Sequence, residues 1–262
     1  MDTGIIVALL LAIVVGVSLG LLGGGGSILA VPILTYVIGM PPKEAIASSL
    51  FIVGITSVVG LYSHARAQRV RWKTGVIFGL AAMAGAFTGG LIGGFINGAV
   101  LMILFAIMMI ATATAMIRGP KKGAGDTSEE PKALPLVRVI LDGALVGIAT
   151  GLVGAGGGFL IVPALNLLGG LPMAVAVGTS LLVMSMKSFA GLAGYLFSVQ
   201  MQWPIVLAFT AMAVVGSFIG SALAGRIPGA SLRKGFGFFV LAMGAIVLVQ
   251  EVPRVLSLFA GG

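Results

Sequence analysis

The chain runs to 262 residues, 59% of them hydrophobic and 8% charged, with a mean hydropathy of +1.20, against roughly 25% charged residues in soluble domains; an integral membrane protein is expected and a soluble domain excluded. The net charge of +8 does not imply a nucleic-acid partner, because the Lys and Arg residues sit in short loops without an aromatic-lined basic face, as the bias of cations toward the cytoplasm produces. The absence of cysteine removes disulfides, thiolate metal sites and cysteine nucleophiles, and the single histidine, His64, gives no basis for a metal centre or any other cofactor.

Hydrophobicity is continuous within each run and does not alternate, which predicts membrane helices and not a β-barrel. The first predicted helix covers 4–22. It is not a signal peptide: Asp2 is its only flanking charge and it aligns with the interior segment 132–151. A glycine break follows, Gly20 to Pro32 (GLLGGGGSILAVP), then a short apolar segment over 27–39 and longer helices over 45–63, 74–96 and 99–117. A linker from Arg118 to Leu134 holds Pro, Gly, Ser and seven charged residues. The second half repeats the order: a helix over 135–153, a break from Gly151 to Pro163 (GLVGAGGGFLIVP), a short segment over 158–170, and helices over 174–196, 205–225 and 231–250.

The halves align without a gap at an offset of 131 residues: Gly16 on Gly147, Pro32 on Pro163, Pro41 on Pro172, Ser49-Leu50 on Ser180-Leu181, Trp72 on Trp203, Gly85 and Gly89 on Gly216 and Gly220. Chance matching of glycines in a biased composition does not also match prolines and tryptophans, so a duplicated unit is expected, a common transporter design. Loop charges set its sense. Arg66, Arg69, Arg71 and Lys73 follow the third segment of the first copy, whereas 198–204 is uncharged; 95–98 is neutral, whereas its counterpart carries Arg226, Arg233 and Lys234. Equivalent loops therefore lie on opposite sides of the membrane and the repeats are inverted.

The predicted fold is an all-α polytopic membrane protein of two inverted five-segment repeats, residues 1–118 and 135–262, joined by a cytoplasmic linker, 119–134, with both termini outside. Inversion requires the short segments to count as crossings. At about 1.5 Å per residue, 13 residues reach only about 20 Å, so these segments are expected to span incompletely.

Irregular backbone at membrane depth must line protein or a water-filled cavity. Gly23, Gly24, Gly25 and Gly26 offer amides unobstructed by side chains, and a helix starting at Ser27 would point its positive end at them. Gly156, Gly157 and Gly158 would do the same from the second copy, making an anion site near the midplane. The alternative is that these glycines only permit close helix packing; that reading is preferred for Gly75/Gly79, Gly85/Gly89/Gly93 and Gly216/Gly220, whose spacing suits it.

Ser48-Ser49 and Thr179-Ser180 occupy equivalent positions where hydroxyls either cap a helix or coordinate an oxyanion. Lys187, deep in 174–196, is a functional candidate because an ionisable group there is costly, with snorkelling as the alternative; its counterpart is Thr56. Ser57 and Ser188 are matched candidates for the same cavity, and Asn166, opposite Thr35, is a weaker one. Asp142 one turn after Arg138 suits an intrahelical pair. Trp72 and Trp203 read as interfacial anchors, His64 as a solvated residue of a basic loop, and Gln200, Gln202 and Asn97 as uninformative loop residues.

The paired breaks ending in Val-Pro (Gly23 to Pro32, Gly154 to Pro163), each trailed by Ala47 to Leu50 or Gly178 to Leu181, resemble the sulfite exporter TauE/SafE family of membrane permeases over essentially the whole chain. The resemblance implies transport of small sulfur-containing or carboxylate anions, such as sulfite or sulfoacetate, across the cytoplasmic membrane and typically outward. Residues and resemblance together lead to a secondary transporter working by alternating access, with the lipid bilayer and a small anion as its partners. An anion channel or a carboxylate carrier of the same architecture is the alternative. No enzyme is expected, because Ser27 lacks a histidine partner and no His-Glu-x-x-His pair occurs. No nucleotide motif is present, so an ion gradient or the membrane potential would drive transport, and the scarcity of buried carboxylates speaks against a dedicated proton relay.

Overall fold

The computed structural model describes residues 3–22, 24–118, 136–154, 157–163, 165, 171–223 and 229–260. Its long helices are α1 (Thr3–Leu22), α3 (Pro42–Arg66), α4 (Trp72–Phe95), α5 (Gly98–Arg118), α6 (Leu136–Val153), α8 (Met173–Tyr195), α9 (Trp203–Leu223) and α10 (Gly229–Ala260). Short elements follow each glycine break: a 3-10 turn (Gly25–Leu29), α2 (Ala30–Pro32) and a π turn (Ile33–Val37) in the first half, and α7 (Gly158–Pro163) in the second. Among the described residues there is no strand, and six helices are long and apolar enough to cross a membrane. The chain is an all-helical polytopic membrane protein.

The short first-half segment departs from the regular helix expected over 27–39. Pro32 has no N–H to donate to the preceding turn, and beyond it the chain widens, with Ile38 N–H bonding Ile33 carbonyl (3.2 Å) and Met40 N–H bonding Leu34 carbonyl (3.0 Å). The segment doubles back along α1: Gly26 packs on Val15 and Leu19, and Val37 carbonyl lies against Gly4. It thus retraces most of α1 in the opposite direction. In α10 the helix continues well past 250, through Pro253, because Glu251 is buried and accepts a hydrogen bond from Tyr36 hydroxyl (3.1 Å); its charge does not mark the helix end.

Helix packing follows the spaced glycines. A Cβ on Gly85 or Gly89 would strike the Ala144 or Ile148 carbonyl of α6, and one on Gly216 or Gly220 would strike the Ile13 or Val17 carbonyl of α1. Conversely Gly147 and Gly151 abut Ala82 and Ala86, while Gly16 and Gly20 abut Ala213 and Ser217. Each of these four glycine contacts in the α4/α6 pair recurs in the α9/α1 pair at the 131-residue offset. Backbone on backbone is the close approach that small residues allow where lipid gives helices no hydrophobic reason to associate.

The helices α3 and α8 form the centre, with 67% and 78% of their apolar windows buried against 33–44% for the other four spans. They run antiparallel: Leu50 meets Gly191, Gly54 meets Phe189, and Gly60 meets Leu181, so they cross near Thr56 and Lys187. Trp72 and Trp203 open α4 and α9 and are each about half exposed, as membrane-facing anchors would be.

Two loop assignments are corrected. His64 is not solvated: it is 5% exposed and its ring bonds the backbone of Gly20, because α3 runs on past it to Arg66 and packs on the end of α1. Gln202 is not uninformative. Its backbone N–H and side-chain amide donate to the two carboxylate oxygens of Glu44 (2.9 and 3.3 Å), so a buried acid at the start of α3 holds the start of α9.

Candidate functional site

The two glycine breaks meet. Gly24 and Gly158 touch backbone to backbone, so that a Cβ on either would overlap the Cα of the other. Gly157 has φ +64° and Gly154 φ +68°, a left-handed conformation that glycine adopts without cost. On the first side Ser27 turns back on the break, its hydroxyl donating to Gly24 carbonyl (2.7 Å) and its N–H to the same oxygen (3.3 Å). Gly25 opens the 3-10 turn and Gly26 seats it on α1. Gly23 and Gly156, also expected here, lie outside the described residues, as does Asn166. The junction sits against Met184, halfway along α8.

On the first side the segment starts as a 3-10 turn that consumes the Ser27 N–H; on the second, α7 starts at Gly158, with Leu160 and Ile161 N–H both donating to Gly157 carbonyl (3.0 Å each). The positive charge comes from a side chain. Lys187 is 0% exposed, and its Nζ donates to Thr150 Oγ1 at 2.7 Å. It also lies against Gly157, where a Cβ would stand 2.9 Å from Nζ. The ammonium is held inward, which removes snorkelling as its explanation. The Thr150 hydroxyl itself donates to Val146 carbonyl (2.7 Å), leaving its oxygen lone pair for the lysine. Among the described residues no carboxylate pairs with Lys187. A lone cation at this depth costs about 2.5–3.5 kcal/mol on insertion scales, a cost that an anion at the junction would offset.

The hydroxyl candidates separate. Ser49 Oγ spans Gly154 carbonyl (2.6 Å) and Ile46 carbonyl (2.8 Å), tying α3 to the second break; it positions the junction. Ser180 Oγ donates to Val177 carbonyl (2.7 Å), two turns from Lys187 on the same helix face. Thr179 is not brought to the site. Its Oγ1 accepts from Arg71 N–H at 3.0 Å, satisfying the start of α4 about 12 Å along α8 from Lys187. The hydroxyls of Ser48, Ser57 and Ser188 are buried and have no hydrogen-bond partner among the described residues; Ser188 adjoins Lys187, and Ser57 lies where α3 crosses α8.

Thr150 escaped the sequence reading although a signal for it existed. Its counterpart at the 131-residue offset is Leu19, just as Thr56 is that of Lys187; two polar replacements at matched positions of one copy mark the same spot. Tyr195, the counterpart of His64, was missed as well. Its hydroxyl donates to Leu152 carbonyl at the end of α6, as the His64 ring bonds Gly20 near the end of α1.

Comparison with known proteins places the chain in a family. The family described as sulfite exporter TauE/SafE matches residues 8–247. A protein named probable membrane transporter protein from Xylella fastidiosa (strain Temecula1) is 35% identical over 237 residues, covering 89% of this chain and 91% of the relative. A likewise named protein of Methanocaldococcus jannaschii is 35% identical over 196 residues, 71% of this chain and 72% of the relative. Probable membrane transporter protein YunE of Bacillus subtilis is 27% identical over 239 residues, 83% and 88% of the two chains. No solved structure matches.

Proposed function

The chain belongs to the sulfite exporter TauE/SafE family, and from that premise we propose that it is a secondary transporter exporting a small sulfur-containing oxyanion, such as sulfite or an organosulfonate, by alternating access. The observation that carries the reading is the fully buried Lys187 ammonium, hydrogen-bonded to Thr150 and set against Gly157 at the meeting of the two breaks. Lys187 supplies the charge and a charge-assisted hydrogen bond. The glycines let an anion reach backbone amides, and the hydroxyls of Ser57 and Ser188 replace its hydration.

Alternating access follows from rocking residues 1–118 against 135–262 about this junction. The antiparallel α3 and α8, which are each other's counterparts, and the glycine contacts that recur at the 131-residue offset support inverted repeats. With cations on the cytoplasmic side, the linker 119–134 is cytoplasmic and both termini are outside; reporter fusions that place the termini in the cytoplasm would refute this orientation. The test of the function is a thermal-shift screen of purified protein against sulfite, sulfate, thiosulfate, sulfoacetate and small carboxylates. Stabilisation by a sulfur oxyanion that disappears in Lys187→Met is expected. Stabilisation by carboxylates alone would transfer the site to a carboxylate carrier, and flux through proteoliposomes that fails to saturate would make the protein a channel.

A further inference from the structure

A second polar cluster lies nearer the loop that links α3 to α4. His64 ring is buried, bonds Gly20 backbone, and leaves Nδ1 without a hydrogen bond among the described residues. Gly20 in turn packs on Ser217 carbonyl and Ser221 amide of α9. Ser217 is 1% exposed, and its Oγ lies 3.5 Å from where a Cβ on Gly60, one turn before His64, would stand. Neither Ser217 Oγ nor Ser221 Oγ has a partner among the described residues. Three orphaned polar atoms thus surround the junction of α1, α3 and α9, where a buried polar group calls for a hydrogen-bond partner.

The architecture does not require them. At the matched positions of the other half stand Tyr195, Ala86 and Gly90, with the tyrosine hydroxyl committed to Leu152 carbonyl. The same packing is therefore built there without orphaned groups, and the polar set needs a reason beyond packing.

We propose that His64, Ser217 and Ser221 form a second station for the transported oxyanion, one that accepts it in its monoprotonated form. The inference rests on the oxyanion reading of the Lys187 site. With the ring's Gly20 interaction left to its other nitrogen, neutral His64 offers a lone pair at Nδ1, while the two serines offer hydroxyl donors. The complement is an acid anion whose own O–H donates to Nδ1 and whose remaining oxygens accept from Ser217 and Ser221. A fully deprotonated anion has no proton to give Nδ1. The charged group facing the ring is Arg69 of the adjoining loop; α1, α9 and the Gly178–Leu181 stretch of α8 bring no titratable side chain, and Lys187 lies about 9 Å further along α8 from Leu181. Both cations favour an anion between them.

The test is calorimetric titration of purified full-length protein with sulfite, which keeps one proton in mildly acidic solution and loses it in mildly alkaline solution. Wild type is expected to bind two sulfites per chain on the acidic side and one on the alkaline side. Ser217→Ala, which places at 217 the residue already present at 86, is expected to bind one on both sides with an unchanged melting temperature, and Ser217→Ala/Ser221→Ala to do the same. One sulfite per wild-type chain at both conditions, or a second site that survives the double substitution, would overturn the station and leave the Lys187 site standing. No sulfite bound by wild type would overturn both.

Discussion

The first half places Thr56 and Leu19 where the second places Lys187 and Thr150. Thr56 spends its hydroxyl on Ile52 and Val53 carbonyls of its own helix (2.7 and 3.2 Å), whereas Lys187 reaches across to α6. Around these positions the packing glycines recur, Gly16, Gly20, Gly85 and Gly89 on Gly147, Gly151, Gly216 and Gly220. The halves hold this helix packing in common and differ in chemistry at Thr56/Lys187 and Leu19/Thr150, so divergence at these matched positions is the guide to the candidate site.

Substitution at the breaks tests this most severely. Gly26→Val would drive a side chain into the Val15 carbonyl and Leu19 amide, and loss of folded protein in detergent is expected. Gly157→Val meets side chains instead, Thr150 and Lys187; it adds about 1–3 kcal/mol of strain at its left-handed backbone and should abolish flux while folded protein persists. Equal folding losses at both positions would erase the distinction. Next, Lys187→Met should weaken sulfite binding about 10- to 100-fold, the worth of a hydrogen bond to a charged group, as read by titration; unchanged affinity would return Lys187 to a structural role. Adding Leu19→Thr and Thr56→Lys to Lys187→Thr transplants the pair to the other half and should recover part of that affinity, since the crossing of α3 and α8 presents both positions.

Smaller effects sharpen the comparison. Thr150→Leu copies the first half and strands the ammonium, lowering stability by about 1–3 kcal/mol; sulfite should restore more of the melting temperature than it adds to wild type, because the anion then satisfies the lysine. Gly85→Ala and Gly216→Ala occupy matched positions and should each cost about 1–3 kcal/mol by overpacking, with the two losses agreeing closely. A large difference in their melting temperatures would show that the framework is not shared.

The long helices, the duplicated break and the packing glycines were legible in the sequence because they follow from hydropathy, spacing and an offset. Lys187 was legible because charge is rare in such segments. Other features depend on partners far away in the chain. Thr179 turned out to hold Arg71, and His64 to be buried against Gly20, since where α3 ends relative to α1 is set by packing that no local pattern encodes. The π turn after Pro32 follows from a lost donor, but its extent, with Met40 N–H reaching Leu34 carbonyl, is fixed by the tertiary contacts of the segment.

Under the proposed function, the contact of Gly24 with Gly158 would bear on how such a protein changes its cargo. Backbone meeting backbone leaves no side chain to retune, and a Cβ at either position would overlap the Cα of the other. Selection for another anion would then act on the proposed lining, at positions such as Thr150, Lys187 and Ser188. A fixed junction with an exchangeable lining would let one architecture diversify its cargo.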